Sequence, residues 1–585
     1  MKTRPSLLSL TLLLLSIHAH PTLQTQPNIL LLVAEDLSPR VGAFGDQVAK
    51  TPNIDDLANR GLRLKRVFTA AGVCAPSRAA LLMGEHSIRF GAHHMRTSTG
   101  PLGPYLAQPA TAARAFPELL REAGYFTFTD TKLDYQFSGI GAGTGPITIW
   151  DLEGINPLAD ADQPWSKSRP GQPFFGLINF LQTHESGVMR PSGQAYGAGH
   201  EATQAFRQRA GLVAAPVTDP AQVALPPYYP DLPGVRSDLA RHYDNIHAMD
   251  SQVGRILTLL EQGGLSESTI IIWTTDHGDG LPRAKRELFD SGIHVPMVVY
   301  IPPALRPQFD IPQAGAASES LISFVDLAPT ILNLAGITPP NTLKGRNFLS
   351  NDQPNRRFIF ASRDRIDEVV DRQRAARNHR YKLIRSFYPQ VPGGHRLAYR
   401  DNLDMVRAWR QAYEEGALNT VQESWFQPVP PERLFDLEQD PWEIHDLLQH
   451  GQLTLEQEQN LQQLRIALDT FIAAGDLGAL PEAELRSRYL VQGELPLTPA
   501  PLIAWRQGQA TLSSEVSASI AFRVSPSEAW RLYTGPVAAT WIEAKAIRYG
   551  WRESPSRISA PGAPDGSATT PSEMRALSTG GTQEN

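Results

Sequence analysis

"PNILLLVAEDLS", residues 27–38, is an apolar run without polar alternation that ends in two adjacent carboxylates, Glu35 and Asp36. Such a run suits a strand buried on both faces, as in a parallel sheet covered by helices. The pattern extends outward from there. Residues 51–62, "TPNIDDLANRGL", open with Thr-Pro and carry Ile54, Leu57 and Ala58 at helical spacing. Residues 116–129 read as helix, Gly stop and strand, and 172–186 as a buried strand ending in Thr183-His184. Residues 242–264 place apolar side chains at 246, 249, 253, 256, 257 and 260, one face of a helix. "STIIIWTTDHGDG", residues 268–280, is another buried strand, ending in Asp276-His277. Buried strands alternating with helices predict an α/β fold over 27–356: a doubly wound, mostly parallel sheet with crossovers on both faces.

The texture changes near residue 357. Strand-like pieces at 380–388 and 432–448 and an amphipathic helix at 453–475 predict a smaller α+β subdomain over 357–490. Period-two alternation in "SASIAFRVS" and "WIEAKAIRY" predicts a β-sandwich module over 505–556, and the Ser-, Pro- and Gly-rich residues 557–585 are expected to be disordered. At the other end, Lys2 and Arg4 precede the apolar run 7–17 and the small Ala19, the pattern of an export signal over 1–19. That predicts a periplasmic or secreted protein with no integral membrane segment once the signal is removed. With 585 residues, 41% of them hydrophobic and 19% charged, the chain can bury several cores. Its net charge of −6 gives no nucleic-acid surface, and a single cysteine allows no internal disulfide.

Glu35, Asp36, Asp276 and His277 all follow buried strands, and open α/β sheets collect ligands at the carboxyl ends of their strands. Three carboxylates meeting there repel one another unless a cation lies between them, and oxygen donors suit a hard ion such as calcium or magnesium. Helix caps and surface acids are the plain alternative, and spacing alone does not separate the two. Cys74 opens "CAPSRAALLMG", in which Pro76 marks a helix start. A lone cysteine is most often a small buried hydrophobe. At a helix N-terminus, however, it meets backbone N–H donors, and Arg78 adds a cationic fork, a setting for a nucleophile beside an anion.

Cys74-Ala75-Pro76-Ser77-Arg78 has the pattern Cys-x-Pro-x-Arg. Together with "LLVAEDLS", "TPNIDDLANRGLRLKRVFT", "TTDHGDGLPRAKRELFDSGIHVP" and "ERLFDLEQDPWEIHDLL", all within 27–475, it resembles the sulfatase family of the alkaline-phosphatase-like superfamily. The resemblance implies a sulfuric ester hydrolase in which a maturation enzyme oxidises Cys74 to formylglycine. It implies Glu35, Asp36, Asp276, His277 and the modified Cys74 as metal ligands, with calcium expected and magnesium possible. Arg78 would orient the nucleophile, Lys132 and Lys285 would bind sulfate, and His184 would stand near the leaving group as general acid. Some positions depart from the family pattern. Glu35 stands where many members have Asp, His277 where others have Asn or Gln, and Asp134 where Lys-x-His places a histidine. Arg283 or Arg286 could replace Lys285. Residues 225–257 resemble the heparan N-sulfatase branch, which implies a sulfated carbohydrate or glycosaminoglycan fragment as substrate. A phosphoester or phosphonate hydrolase of the same superfamily and a non-catalytic sugar-binding descendant are the competing readings.

Two further features have plain readings. The basic run of Arg372, Arg374, Arg377, Arg380, Lys382 and Arg385 is expected to be a solvated mixed-charge surface rather than a grip on a polysulfated chain. Trp530, Trp541, Tyr549 and Trp551 are expected to form the core of the sandwich rather than a sugar platform.

Overall fold

The chain is described from a computed structural model covering residues 26–137, 147–158, 163–309, 311–350, 354–449 and 451–562. The expected signal at 1–19 and the tail from 563 onward lie outside the described residues. Strand β1 (Asn28–Ala34) sends Ile29, Leu31 and Val33 into one apolar cluster and Leu30, Leu32 and Ala34 into another, all fully buried. Both faces are packed, so neither can be polar, which is why the sequence shows no alternation.

Around it lie β2 (Leu62–Phe68), β3 (Phe126–Thr129), β4 (Phe174–Phe180), β5 (Thr269–Thr275), β6 (His294–Tyr300) and the short β7 (Ala317–Ser318) and β8 (Ile322–Ser323). The order is β3-β4-β1-β5-β6-β2-β7, with β8 also paired to β2. The first four strands are mutually parallel, as the apolar runs predict, whereas β6 is antiparallel to both β5 and β2. The link between β5 and β6 explains the reversal. It holds a polar loop and the four-residue helix Asp290–Ile293, with no helix to carry the chain across a face. Helices α1 (Pro52–Arg60), α2 (Cys74–Met83), α3 (Phe116–Glu122), α4 (Ala198–Arg209) and α5 (Pro233–Gln262) flank the sheet.

Register sets the level of the site. Ala34 lies opposite both Phe180 and Thr275, so the segments after β1, β4 and β5 leave the sheet together. The ladder continues one step further, with Glu35 N donating to Phe180 O at 3.1 Å and Asp276 N to Ala34 O at 3.2 Å.

A second, antiparallel sheet has the order β12-β11-β10-β9, from β9 (Ile359–Arg363), β10 (Gln373–Arg377), β11 (Tyr381–Ser386) and β12 (Glu432–Asp436). The helix Leu455–Ala473 covers it with Leu461, Leu464, Leu468 and Phe471. The basic run falls on β10 and β11, and there the expectation of a solvated surface is overturned. Arg374, Arg377 and Lys382 are buried, with Arg374 held by Asp364 and Asp476 and Lys382 by Asp290 and Glu443. Their partners lie up to about a hundred residues away in sequence, so local composition could not reveal them.

This burial gives a pH-dependent prediction. Burial alone would raise the Asp476 carboxyl, but hydrogen bonds and charge from Arg374 and Arg372 bring it down to about 2. A depressed carboxylate stabilises the fold fully above its ordinary value near 3.8 and loses that contribution as pH falls toward 2. Asp476→Asn should therefore cost about 2 kcal/mol at neutral pH, and the gap to wild type should close between pH 4 and 2. Urea midpoints measured across that range check this; a pH-independent gap would contradict it.

The C-terminal module is a sandwich. One sheet contains β13 (Leu502–Arg506), β14 (Gln509–Ser513) and β17 (Val537–Ala538). The other contains β15 (Ser519–Arg523), β16 (Arg531–Leu532), β18 (Ile542–Ile547) and β19 (Arg557–Ser559). Its core is aliphatic apart from Phe522, and none of Trp530, Trp541, Tyr549 or Trp551 belongs to it. Tyr549 instead packs into the main core and donates to Glu118 on α3 at 2.5 Å, which ties the module to the large domain. Trp530 and Trp551 lie against Arg523 and Arg548.

Candidate active site

Cys74 is the first residue of α2, after an extended Val73. The turn before it is pressed against the loop that follows β5: Arg286 N donates to Gly72 O at 2.6 Å. A Cβ on Gly72 would stand 2.3 Å from the Glu287 carbonyl oxygen, so only glycine permits this approach. The contact delivers the loop's lysine to the cysteine. Lys285 Nζ lies 3.5 Å from Cys74 Sγ, while His277 Nε2 is 3.2 Å and Asp36 Oδ1 3.7 Å away. Of the three basic residues 283, 285 and 286, Lys285 is the one placed against Cys74. Arg283 lies over the rings of Tyr228 and Phe289, and Arg286 is bidentate to Glu185 at 2.8 Å.

The three carboxylates are fully buried, and each faces a cation. Arg78, one turn beyond Cys74, reaches Asp276 Oδ2 with Nε at 3.1 Å, Glu35 Oε1 with Nη2 at 2.6 Å and Asn179 Oδ1 with Nη1 at 2.5 Å. Lys132 Nζ lies 3.2 Å from Glu35 Oε2, and Lys285 Nζ 2.5 Å from Asp36 Oδ2. Asp36 adopts a left-handed φ of 49°, an uncommon conformation for a non-glycine residue. It is held there because its amide donates to Asp276 Oδ1 at 3.0 Å and its Oδ2 accepts from Glu185 N at 2.7 Å.

These contacts set the titration of the site. Burial pushes the Glu35 carboxyl up, and Lys132 and Arg78 only partly offset it. Burial would also raise Asp36, but Lys285, His184 and His277 hold it well below the usual carboxylate range. Burial would lower the His277 imidazole, yet Asp276 and Asp36 hold it well above its ordinary value. The pocket therefore selects positive charge at His277.

A metal ion fits that demand. The donor atoms of Asp36, Cys74, Asp276 and His277 lie within 4.8 Å of one another, and Glu35 belongs to an overlapping group with Asp36, Cys74 and His184. His277 Nδ1 lies 2.9 Å from the Gly278 carbonyl, which can only accept, so Nδ1 carries a proton. Nε2 then faces Asp36 Oδ1 at 3.0 Å, a contact satisfied either by a proton on Nε2 or, in the neutral ring, by a metal ion ligated by its lone pair. Glu35 Oε2 is buried without a hydrogen bond. Carboxylate oxygens with one imidazole suit a hard divalent ion.

His184 has the opposite tautomer. Arg207 Nη1 donates to Ser186 Oγ at 3.1 Å, and that hydroxyl in turn donates to His184 Nδ1 at 2.9 Å. Nδ1 is thus an acceptor, and the ring proton sits on Nε2. Burial and then Lys285 hold the imidazole well below its ordinary value, so the ring is neutral. A protonated Nε2 is a hydrogen-bond donor and not a metal ligand.

All the residues singled out from the sequence, Glu35, Asp36, Cys74, Arg78, Lys132, His184, Asp276, His277 and Lys285, meet in this one pocket. Sequence reading missed Asn179, Glu185 and Arg96. A polar Asn inside the otherwise apolar "FFGLINF" was a usable signal, whereas Arg96 carried none. Asp134, where the resemblance implied a histidine, pairs with Arg96 Nε at 2.7 Å. His93 and His94 are buried against each other with ring centroids 4.3 Å apart.

Comparison with known proteins agrees with this geometry. A sulfatase family model matches residues 27–337, and a model of the N-sulphoglucosamine sulphohydrolase C-terminal region matches 283–397. An ulvan-active sulfatase of Formosa agariphila is 34% identical over 567 residues, covering 91% of each chain. Human N-sulphoglucosamine sulphohydrolase is 26% identical over 62% of this chain and 74% of its own. Among solved structures, a putative sulfatase from Bacteroides thetaiotaomicron shares the fold with a TM-score of 0.53 at 19% identity, covering 78% of this chain and 94% of its own.

Proposed function

The chain belongs to the sulfatase family of sulfuric ester hydrolases, and on that premise we propose that it removes sulfate, as ester or sulfamate, from a sulfated carbohydrate or glycosaminoglycan fragment. The observation that carries this reading is the placing of Cys74 Sγ at the N-terminus of α2, 3.2 Å from His277 and 3.5 Å from Lys285, above a ring of buried carboxylates. Formylglycine made from Cys74 by a maturation enzyme supplies a hydrated aldehyde as the nucleophile toward sulfur. Glu35, Asp36, Asp276 and His277 would hold a divalent cation, calcium in this reading, which would supply Lewis acidity to the reaction.

The chain's own residues do the rest. Lys285, 3.5 Å from Cys74 Sγ, and Lys132, paired with Glu35, offer ammonium donors to the sulfate oxygens as charge grows in the transition state. Arg78 is fully committed to Glu35, Asp276 and Asn179, so it positions the carboxylates rather than gripping substrate. His184, neutral because burial and Lys285 disfavour its charged form, is a hydrogen-bond donor through Nε2–H toward the leaving oxygen rather than the general acid expected from the sequence, with the imidazole fixed through Ser186 and Arg207. The likenesses to an ulvan-active sulfatase and to N-sulphoglucosamine sulphohydrolase support a sulfated carbohydrate as the substrate class. The basic and apolar residues 2–17 support export, and no described helix is long and apolar enough to cross a membrane.

The leaving-group role has its own test. His184→Ala should slow sugar sulfates, whose leaving alkoxides are poor, by about 10²–10³-fold, the scale of losing one hydrogen-bond donor to developing charge, and activated aryl sulfates far less. Equal losses on both would contradict a hydrogen bond from His184 to the leaving oxygen. The overall reading is tested by sulfate release from sulfated saccharides, set out at the close of the Discussion.

A further inference from the structure

We propose that Arg96 is a specificity residue that grips a second anionic group, a carboxylate or another sulfate, carried by the sulfated sugar or its neighbour. This inference rests on the sulfatase reading. Arg96 stands on the loop after α2, and its guanidinium is about one-third exposed, whereas Cys74 is fully buried. Met95, the residue before Arg96, packs in one apolar cluster with Val73, Cys74 and Ala75, and its carbonyl accepts from Asp367 N at 2.7 Å, which sets Arg96 next to the segment that carries the cysteine. Only Nε is committed, to Asp134 Oδ2 at 2.7 Å, and among the described residues Nη1 and Nη2 have no hydrogen-bond partner.

The surrounding structure holds that cation in place. Arg365 Nη2 donates to the Arg96 carbonyl at 2.8 Å, and Arg365 is itself clamped by Glu482 through two contacts of 2.7 and 2.8 Å. Thr97 N donates to Gln136 Oε1 at 2.9 Å, which fastens the loop to the segment that carries Asp134. Asp134 is buried and stands two residues beyond Lys132, the cation facing Glu35. One carboxylate thus ties Arg96 in space to the sulfate-facing lysine. Asp134 orients the guanidinium through one nitrogen and leaves the planar fork of the other two open, the geometry that recognises a carboxylate or sulfate bidentately. A pre-organised cation with two free donors, partly open to solvent beside a pocket built for one anion, fits a substrate with a second.

The test is steady-state kinetics on the matured full chain. The probes are 4-nitrophenyl sulfate, a sulfated disaccharide containing a uronic acid, the same disaccharide with its carboxyl reduced to an alcohol, and a disulfated monosaccharide. In wild type, carboxyl reduction should lower kcat/KM by about 10–100-fold, mainly through KM. Arg96→Gln should lower kcat/KM on the uronate disaccharide by a similar factor beyond its effect on the aryl sulfate, and Arg96→Lys should recover part of the loss. Asp134→Asn should give the same pattern more weakly. If the disulfated monosaccharide shows the selective loss instead, the second anion is a sulfate. Equal losses on all probes, or indifference to the second anion in wild type, would overturn the proposal while leaving the sulfatase reading intact. Absence of sulfate release from every probe by wild type would overturn both.

Discussion

Replacing Cys74 with alanine should abolish turnover, lowering kcat by at least about 10⁵-fold, the scale on which loss of a covalent nucleophile acts. The fold should survive. Cys74 is small and fully buried, and among the described residues its Sγ makes polar contacts of 3.2–3.7 Å with His277, Lys285 and Asp36. The ring of carboxylates is held independently, by Arg78, Lys132 and the backbone amides of Asp36 and Glu185. Circular dichroism and the urea midpoint should therefore change little. The variant should still bind a sulfated saccharide, because Lys132, Lys285 and Arg96 remain. Substantial residual hydrolysis in a variant free of wild-type enzyme would contradict the nucleophilic role of residue 74.

The second large effect is expected at Asp276. Its Oδ1 accepts the Asp36 amide at 3.0 Å, its Oδ2 accepts from Arg78 at 3.1 Å, and His277 Nε2 lies 3.8 Å away. Asp276→Asn keeps the shape and can still accept the amide, but it removes one negative charge from a site that needs three. Bound divalent metal, measured by elemental analysis of purified protein, should fall from about one ion per chain to well below that. Activity should drop by at least about 10³-fold, and millimolar calcium should restore part of it. Chelation of the wild type should reproduce the loss. Full metal content and full activity in the variant would show that Asp276 is not a ligand.

The sequence made the framework readable because burial leaves a compositional mark. β1, β4 and β5 are packed on both faces, so each reads as an apolar run, and each run ends where its first charged or polar residues begin. Glu35, Asp36, His184, Asp276 and His277 stand at those endings, and the resemblance to sulfatases turned position into expected roles. The Pro76 signal placed Cys74 at a helix start, where the structure has it. What stayed hidden depends on pairing across long stretches of chain. Arg374 meets Asp476, Arg96 meets Asp134, and Arg286 meets Glu185 only once the loops after β4 and β5 and the second sheet are in place. A run of basic residues then reads as a surface although Arg374, Arg377 and Lys382 within it are buried. The reversal of β6 was equally invisible, since "HVPMVVY" has the apolar composition of a parallel strand. Tyr549 looked like sandwich core because its neighbours alternate, yet the interface with the larger domain claims it.

The most direct test measures the products. Protein matured so that the Cys74 peptide carries the mass of an aldehyde in place of the thiol should be incubated with sulfated oligosaccharides and matched phosphate esters, and released inorganic sulfate and phosphate quantified together. The account predicts rapid sulfate release from at least one saccharide, dependence on a divalent metal, and much slower phosphate release. Faster phosphate release, or no sulfate release from any saccharide by protein with the aldehyde in place, would contradict it.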